Sequence, residues 1–159
     1  MPTIQSIVYM PRNEEDYDRN GPFQRYPLET ARLIAHHGLE GDHKAGSNPR
    51  RQLNIIPTDW LATRAAEGYR TGPGEMGEQI ILEGITFAEL HPGLQLQLGE
   101  DAIIELVQTR TGCERLDASQ PRPIPAPIKL AGIGWLAKVV QTGTIRVGDH
   151  VTLLTSELA

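Results

Sequence analysis

Apolar and β-branched residues alternate loosely along Thr3–Met10 (TIQSIVYM), a pattern that predicts a strand. The same signal recurs in RQLNIIP, which Pro57 stops, and in the short run EQIILE. LQLQLG and AIIELVQTR read as two arms of a hairpin joined around GED. TIRVGDHVTLLT reads as a strand, a VGD turn and a second strand. Helical spacing is rarer. Thr58 is placed to cap a helix over DWLATRAAEG, with Gly68 just past its end. GWLAKVVQTG is read as a short helix ending at Gly143. LETARLIAHHG fits either a short helix ended by Gly38 or an extended segment. Two stretches lack either period. PRNEEDYDRNGPFQRYP is polar and turn-rich, and DASQPRPIPAPIKLAG is rich in proline, so both are expected to be surface loops. There are no repeats or heptads. Strands dominate, which predicts a mainly β fold with short helices, arranged as a β-barrel or strongly curved sheet.

Size and composition narrow the picture. A chain of 159 residues is expected to form one domain spanning 1–159. Sixteen glycines and twelve prolines suit short strands and many turns better than a helical bundle. A formal charge of −5 argues against a nucleic-acid partner, because counterion release needs a dominant basic face. There is no long apolar span and no apolar leader, so no membrane association is expected and the expected compartment is the cytoplasm. The single cysteine, Cys113, cannot form an internal disulfide and is expected to stay a free thiol.

Cys113 sits in VQTRTGCERLDA, at the end of a predicted strand and between Arg110 and Arg115. Thr111 and Glu114 have the spacing of a capping box, which places Cys113 in the first turn of a short helix. A helix N-terminus and a nearby cation both favour the thiolate. The alternative is a small buried hydrophobe, a common fate of free cysteine. A nucleophile of the cysteine-protease type needs a histidine base, and no local signature supplies one. A zinc site needs several close ligands, for which His36 and His37 are weak support. A soft thiolate that ligates molybdenum or carries sulfur fits a lone cysteine best, since neither task needs a second thiol.

Glycine-rich stretches suggest where an anion would bind. HGLEGDHKAG spaces Gly38, Gly41 and Gly46 around Asp42, His43 and Lys44. Such loops expose backbone N–H groups to an anionic ligand. Arg50 and Arg51 follow, and arginine suits bidentate contact with phosphate or carboxylate, although one of the two is expected to be a solvated charge. GEMGEQI sets Glu75 and Glu78 beside glycines, as partners of a bound heterocycle or as turn carboxylates.

Together these pieces resemble a MOSC domain, the module named for molybdenum cofactor sulfurase C-terminal regions. GLEGDHKAG, RQLNII, PGEMGEQIILEGI, LQLGEDAIIELVQTRTGCERLD and GIGWLAKVVQTGTIRVGD occur in the family's order, and the resemblance is strongest over 38–150. It implies a largely β-barrel fold and binding of the pterin-based molybdenum cofactor (molybdopterin). It also implies Cys113 as molybdenum ligand and catalytic residue, or as persulfide carrier. The cofactor-binding residues it implies are Gly41, Asp42, His43, Lys44, Arg51, Gly77, Glu78 and Arg110. Pyridoxal phosphate binding is implied at the family level only. The sequence departs from the pattern at Lys44, where the family often has His, at Gln79 within GEQ, where GEN is common, and at Gly112, where proline is usual. Two activities are implied: reduction of N-hydroxylated compounds, or sulfur transfer through a Cys113 persulfide. A non-catalytic cofactor-binding barrel is the third alternative. Neither a cysteine desulfurase nor an iron–sulfur module is attached, so a separate sulfur or electron donor protein is expected. Arg51 and Arg110 are expected to converge on the Cys113 pocket, with GLEGDHKAG as one wall.

Overall fold

The computed structural model describes residues 1–11, 25–46, 48–111 and 114–154, apart from the side chains of 114 and 115. Its strands are β1 (Thr3–Tyr9), β2 (Tyr26–Pro27), β3 (Thr30–Ile34), β4 (Gly38–Leu39), β5 (Leu53–Pro57), β6 (Ile80–Glu83), β7 (Gln95–Leu98), β8 (Ala102–Thr109), β9 (Trp135–Gln141), β10 (Gly143–Arg146) and β11 (Val151–Leu154). The helices are α1 (Thr58–Ala66), α2 (Glu114–Ala118) and α3 (Ala126–Ala131). An eight-stranded sheet runs β11-β7-β8-β9-β5-β6-β1-β2, and a three-stranded sheet runs β10-β3-β4. The fold is thus mainly β with short helices.

The large sheet curls until its ends nearly meet. The Ile4 N–H donates to the Asp149 carbonyl and the Val151 N–H to the Pro2 carbonyl, both at 2.9 Å. Thr3 and His150 form a single bridge rather than a ladder, so the barrel is approximate and not closed. Its interior is filled by alternate residues of successive strands, including Ile4, Leu53, Ile55, Ile80, Leu82, Leu96, Ile104, Leu106, Ala137 and Val139. The outer face of β5 and β6 carries a second core. Ile56 and Ile81 pack there with Leu61 of α1, Leu116 of α2, Tyr69, Met76, Ile124 and Ile133. The central strand β5 is therefore buried on both faces, and its outward residue Asn54 is a polar group inside the protein.

The hairpin predicted around GED forms as expected, with Leu98 opposite Ala102. LETARLIAHHG takes the extended alternative as β3, turning Ala31 and Leu33 inward and Thr30 and Arg32 outward. Three expectations are corrected. GWLAKVVQTG is not a helix but strand β9 followed by the start of β10. Between β8 and β5, it buries apolar residues on both faces, and a continuous apolar run carries no period that separates helix from strand. DASQPRPIPAPIKLAG is not wholly loop, because Ala126–Ala131 is helical with Pro127 in the first turn, where a missing N–H costs no helical bond. Thr58 is the first helical residue and not the cap. Pro57, extended at φ −79° and ψ 152°, occupies the N-cap without a side-chain cap bond. Gly68, just past Glu67 at the far end, has the expected positive φ of 92°. The loop expected at PRNEEDYDRNGPFQRYP lies mostly outside the described residues.

Gly143 holds the two sheets together by close approach. A Cβ there would lie 2.3 Å from the Ala102 backbone nitrogen and 2.8 Å from its Cα. Since backbone atoms cannot rotate away, Gly143→Ala is expected to destabilise the fold by about 1–3 kcal/mol. Urea unfolding is expected to show this as a lower midpoint at an unchanged m-value.

Candidate functional site

A buried polar cluster lies where β1, β4, β5 and β6 meet the end of β8. Asp42 is its most connected member. The turn after β4 returns the Asp42 N–H to the Leu39 carbonyl, and an isolated bridge joins Asp42 to Pro11. Its Oδ1 accepts the Met10 N–H at 3.0 Å, and its Oδ2 accepts the Lys44 N–H at 3.0 Å. Gln79 Nε2 also donates to Oδ2, at 3.2 Å, and Arg25 Nη1 lies 3.8 Å from Oδ1. Asp42 and the Arg25 side chain are both buried. Gln79 continues the network, its Oε1 accepting the Asn54 N–H at 2.7 Å. The Asn54 side-chain amide is itself buried, with neither its oxygen nor its nitrogen hydrogen-bonded.

The loop of GPGEMG is held from within. Glu78 is fully buried, and its two carboxylate oxygens accept the Gly74 N–H at 2.5 Å and the Met76 N–H at 3.1 Å. Gly74 and Gly77 both have φ near +80°, which the tight loop requires. Glu75 likewise closes a turn, accepting the Gly72 N–H at 2.9 Å. Arg110, at the end of β8, reaches this loop and donates from Nη1 to the Met76 carbonyl at 2.6 Å. Its own backbone pairs with Ile133 and Gly134.

Asp42, Gly77, Glu78 and Arg110, all singled out from the sequence, thus stand in one connected cluster. His43 and Lys44 flank it, both partly buried, with the His43 N–H on the Met10 carbonyl. Gly41 is exposed at φ +85°. Arg51 is exposed just before β5, with its N–H on the Asn48 carbonyl. Cys113 and Gly112 lie outside the described residues, and with them the expected convergence on the thiol and the capping box. The elements on either side are the expected ones, strand β8 ending at Thr109 and helix α2 starting at Glu114.

Arg25, Gln79, Asn54 and Gln52 were not expected. Gln52 lies beside the cluster on the same strand run, its Oε1 accepting the Val139 N–H at 2.9 Å. The available signal was the set of amide side chains inside apolar strand runs, Gln52 and Asn54 in RQLNII and Gln79 in EQIILE, since an amide buried in a sheet needs partners. Gln120 is a further case. It clamps the loop from the α2 side, bonding the Arg70 N–H and carbonyl and the Glu75 carbonyl.

Between the loop and the C-terminal end of α2 lies a cavity of about 320 Å³, lined by Arg25, Arg70, Pro73, Gly74, Glu75, Ala118 and Ser119. A groove of about 550 Å³ lined by Glu89, His91, Gly93, Leu94, Gln95, Leu153 and Leu154 contains none of the residues singled out from the sequence. Among the described residues, no group of three or more His, Cys, Asp or Glu side chains stands close enough to hold a metal ion. No helix among them is long and apolar enough to cross a membrane.

Burial pushes the Glu78 carboxyl up to about 7, against the opposing pull of the loop amides and Arg25. The folded state therefore holds a proton that the unfolded chain releases near 4.5. This contribution to stability is full below pH 4.5 and is lost as pH rises through about 7. Glu78→Gln mimics the protonated form. Subtracting its stability curve from that of the wild type between pH 4.5 and 8 is expected to isolate a downward slope of a few kcal/mol in total. Parallel curves would show that Glu78 does not titrate in this range.

Comparison with known proteins places this arrangement. The MOSC domain family matches residues 42–152. A protein of Gibberella moniliformis named "Reductase" is 29% identical over 98 residues, 60% of this chain, and the matched region is 18% of that relative's length. Among solved structures, YiiM from Geobacillus stearothermophilus superposes with a TM-score of 0.75 at 21% identity, covering 99% of this chain and 77% of that one. YiiM from Escherichia coli gives 0.66 at 21% identity, with 97% and 70% covered. The YUAD protein from Bacillus subtilis gives 0.65 at 15%, with 95% and 94% covered. At these identities the structures speak for the fold. The family match begins at Asp42, the centre of the buried cluster, and takes in Glu78, Arg110 and Cys113. This chain belongs to the MOSC domain family.

Proposed function

We propose that the chain binds a pterin-based molybdenum cofactor, with the Cys113 thiolate as ligand to molybdenum, and reduces N-hydroxylated compounds with electrons from a separate donor protein. The observation that carries this reading is the junction of β8 and α2. Arg110 is buried against the Met76 carbonyl three positions before the sole thiol, and α2 starts directly after it. The last described residues before the thiol are thereby tethered to the glycine-rich loop.

The donor set suits such a cofactor. A single soft thiolate serves a metal whose other ligands come from the cofactor itself. Arg110 offers positive charge to its anionic groups. The unpartnered amide of Asn54 is a buried donor and acceptor on the same strand face. When bound, the cofactor supplies the redox-active metal. The chain's own groups do the rest. Arg110 anchors the end of β8 to the Met76 carbonyl, while Asp42 and Gln79 lock the β4 turn against β5 and β6. Glu78 holds the Gly74 and Met76 amides in place, so its role is to position the loop. Overall reduction of an N–OH group to N–H consumes two electrons and two protons and releases water, and the donor protein delivers the electrons.

Protein purified from a cofactor-producing host is expected to reoxidise reduced methyl viologen when an aryl hydroxylamine is added. Bound molybdenum without such turnover would contradict the reductase part of the reading. A sulfur carrier would instead accept persulfide sulfur on Cys113 from a cysteine desulfurase.

A further inference from the structure

Resting on the reading above, we propose that the cavity beside α2 is a subsite for an anionic group on the substrate, recognised by Arg70 and Arg25 with the Ser119 hydroxyl. At about 320 Å³ it lies at the small end of ligand pockets, roughly 300–1,000 Å³. Its lining brings two arginines and a serine against one carboxylate. That carboxylate, Glu75, already accepts the Gly72 N–H. Arg25 faces Asp42 on its other side. Arg70 is exposed, and none of the ion pairs among the described residues involves it. Its backbone is nonetheless fixed, because Gln120 bonds both its N–H and its carbonyl. A cation on a clamped backbone at a cavity mouth is pre-organised for an anion. The last turn of α2 does not oppose it, since the Leu116 and Asp117 carbonyls are already taken by the Ser119 and Gln120 N–H groups.

Sequence order sets this subsite and the thiol at opposite ends of α2. Ala118 and Ser119 close the cavity at the C-terminal end of α2, whereas Cys113 precedes its N-terminal end. A five-residue helix spans about 7.5 Å, a length that a substrate with an anionic end at the arginines would bridge toward the other end of α2.

Inorganic phosphate is the first probe, titrated calorimetrically into the wild type and Arg70→Gln. Binding by the wild type with about tenfold or greater weakening in the variant is expected for the loss of one charge-assisted contact. Arg70→Lys should recover part of it. The second probe compares a neutral aryl hydroxylamine with the same compound carrying a ring phosphonate. The wild type should favour the phosphonate in kcat/KM, and Arg70→Gln should cut that preference about tenfold. Absence of phosphate binding, an equal affinity in the variant, or no preference for the phosphonate would overturn the proposal. So would loss of molybdenum from Arg70→Gln, which would assign the arginine to the cofactor. Failure of the reductase reading would show as absent turnover on both compounds, and the phosphate titration would still decide the subsite.

Discussion

Cys113→Ser is expected to fold normally and to lose its molybdenum. Serine is nearly isosteric with cysteine, but its hydroxyl is a hard donor that resists deprotonation, whereas the thiolate is soft and forms near neutral pH when cations and a helix N-terminus stabilise it. Removing groups that merely orient a metal ligand costs 10–100-fold in affinity, so removing the ligand itself is expected to exceed about 100-fold. Metal analysis on the purified variant reads this, and a melting curve beside it separates the alternatives. A sulfur carrier would keep its cofactor and fail to accept persulfide sulfur. A buried structural thiol would lower the melting temperature and leave cofactor content alone. Molybdenum fully retained in Cys113→Ser would rule out direct ligation.

Asp42→Ala is expected to be the most damaging single change to the fold around the site. Three donors converge on the carboxylate, from Met10, Lys44 and Gln79, and Arg25 lies beside it. Asp42 and the Arg25 side chain are buried and the Lys44 N–H is partly so, so truncation leaves buried donors without their acceptor. Breaking a buried charged pair from one side costs about 3–5 kcal/mol. For a chain of this size that corresponds to a fall in melting temperature of about 6–20 °C. Asp42→Asn keeps one oxygen but turns an NH₂ toward the donors, so it should lie between the wild type and the alanine variant. A loss below about 1 kcal/mol for Asp42→Ala would mean that the cluster is hydrated and not sealed.

The β character of the fold was legible because the barrel interior takes alternate residues, and alternation is visible in runs such as LQLQLG and AIIELVQTR. The elements that misled did so for different physical reasons. Strand β9 is buried on both sides, which erases the period that marks a strand. Helix α3 hides its start behind prolines that suit a first turn. Thr58 looked like a cap because its side chain is right for one, yet β5 runs extended into Pro57 and shifts the helix start by one residue. In the site, charge and glycine spacing found Asp42, Glu78 and Arg110, but not their connections. Gln79 joins Asp42 to β5, and Gln120 ties the loop to α2 through bonds to Arg70 and Glu75, 50 and 45 positions away in sequence. Such long-range pairings depend on sheet order, which no local pattern carries. Of the two roles the sequence leaves open for Glu78, heterocycle partner or turn carboxylate, its two oxygens take the second, accepting the Gly74 and Met76 N–H groups.

The proposed molybdenum cofactor is the property on which the functional reading of this MOSC chain rests. Purification from a cofactor-producing host, followed by molybdenum and pterin analysis of the same sample, tests it most directly. Molybdenum and pterin are expected in equal amounts, both approaching the amount of protein. Protein that is folded and pure but carries neither from such a host would contradict it.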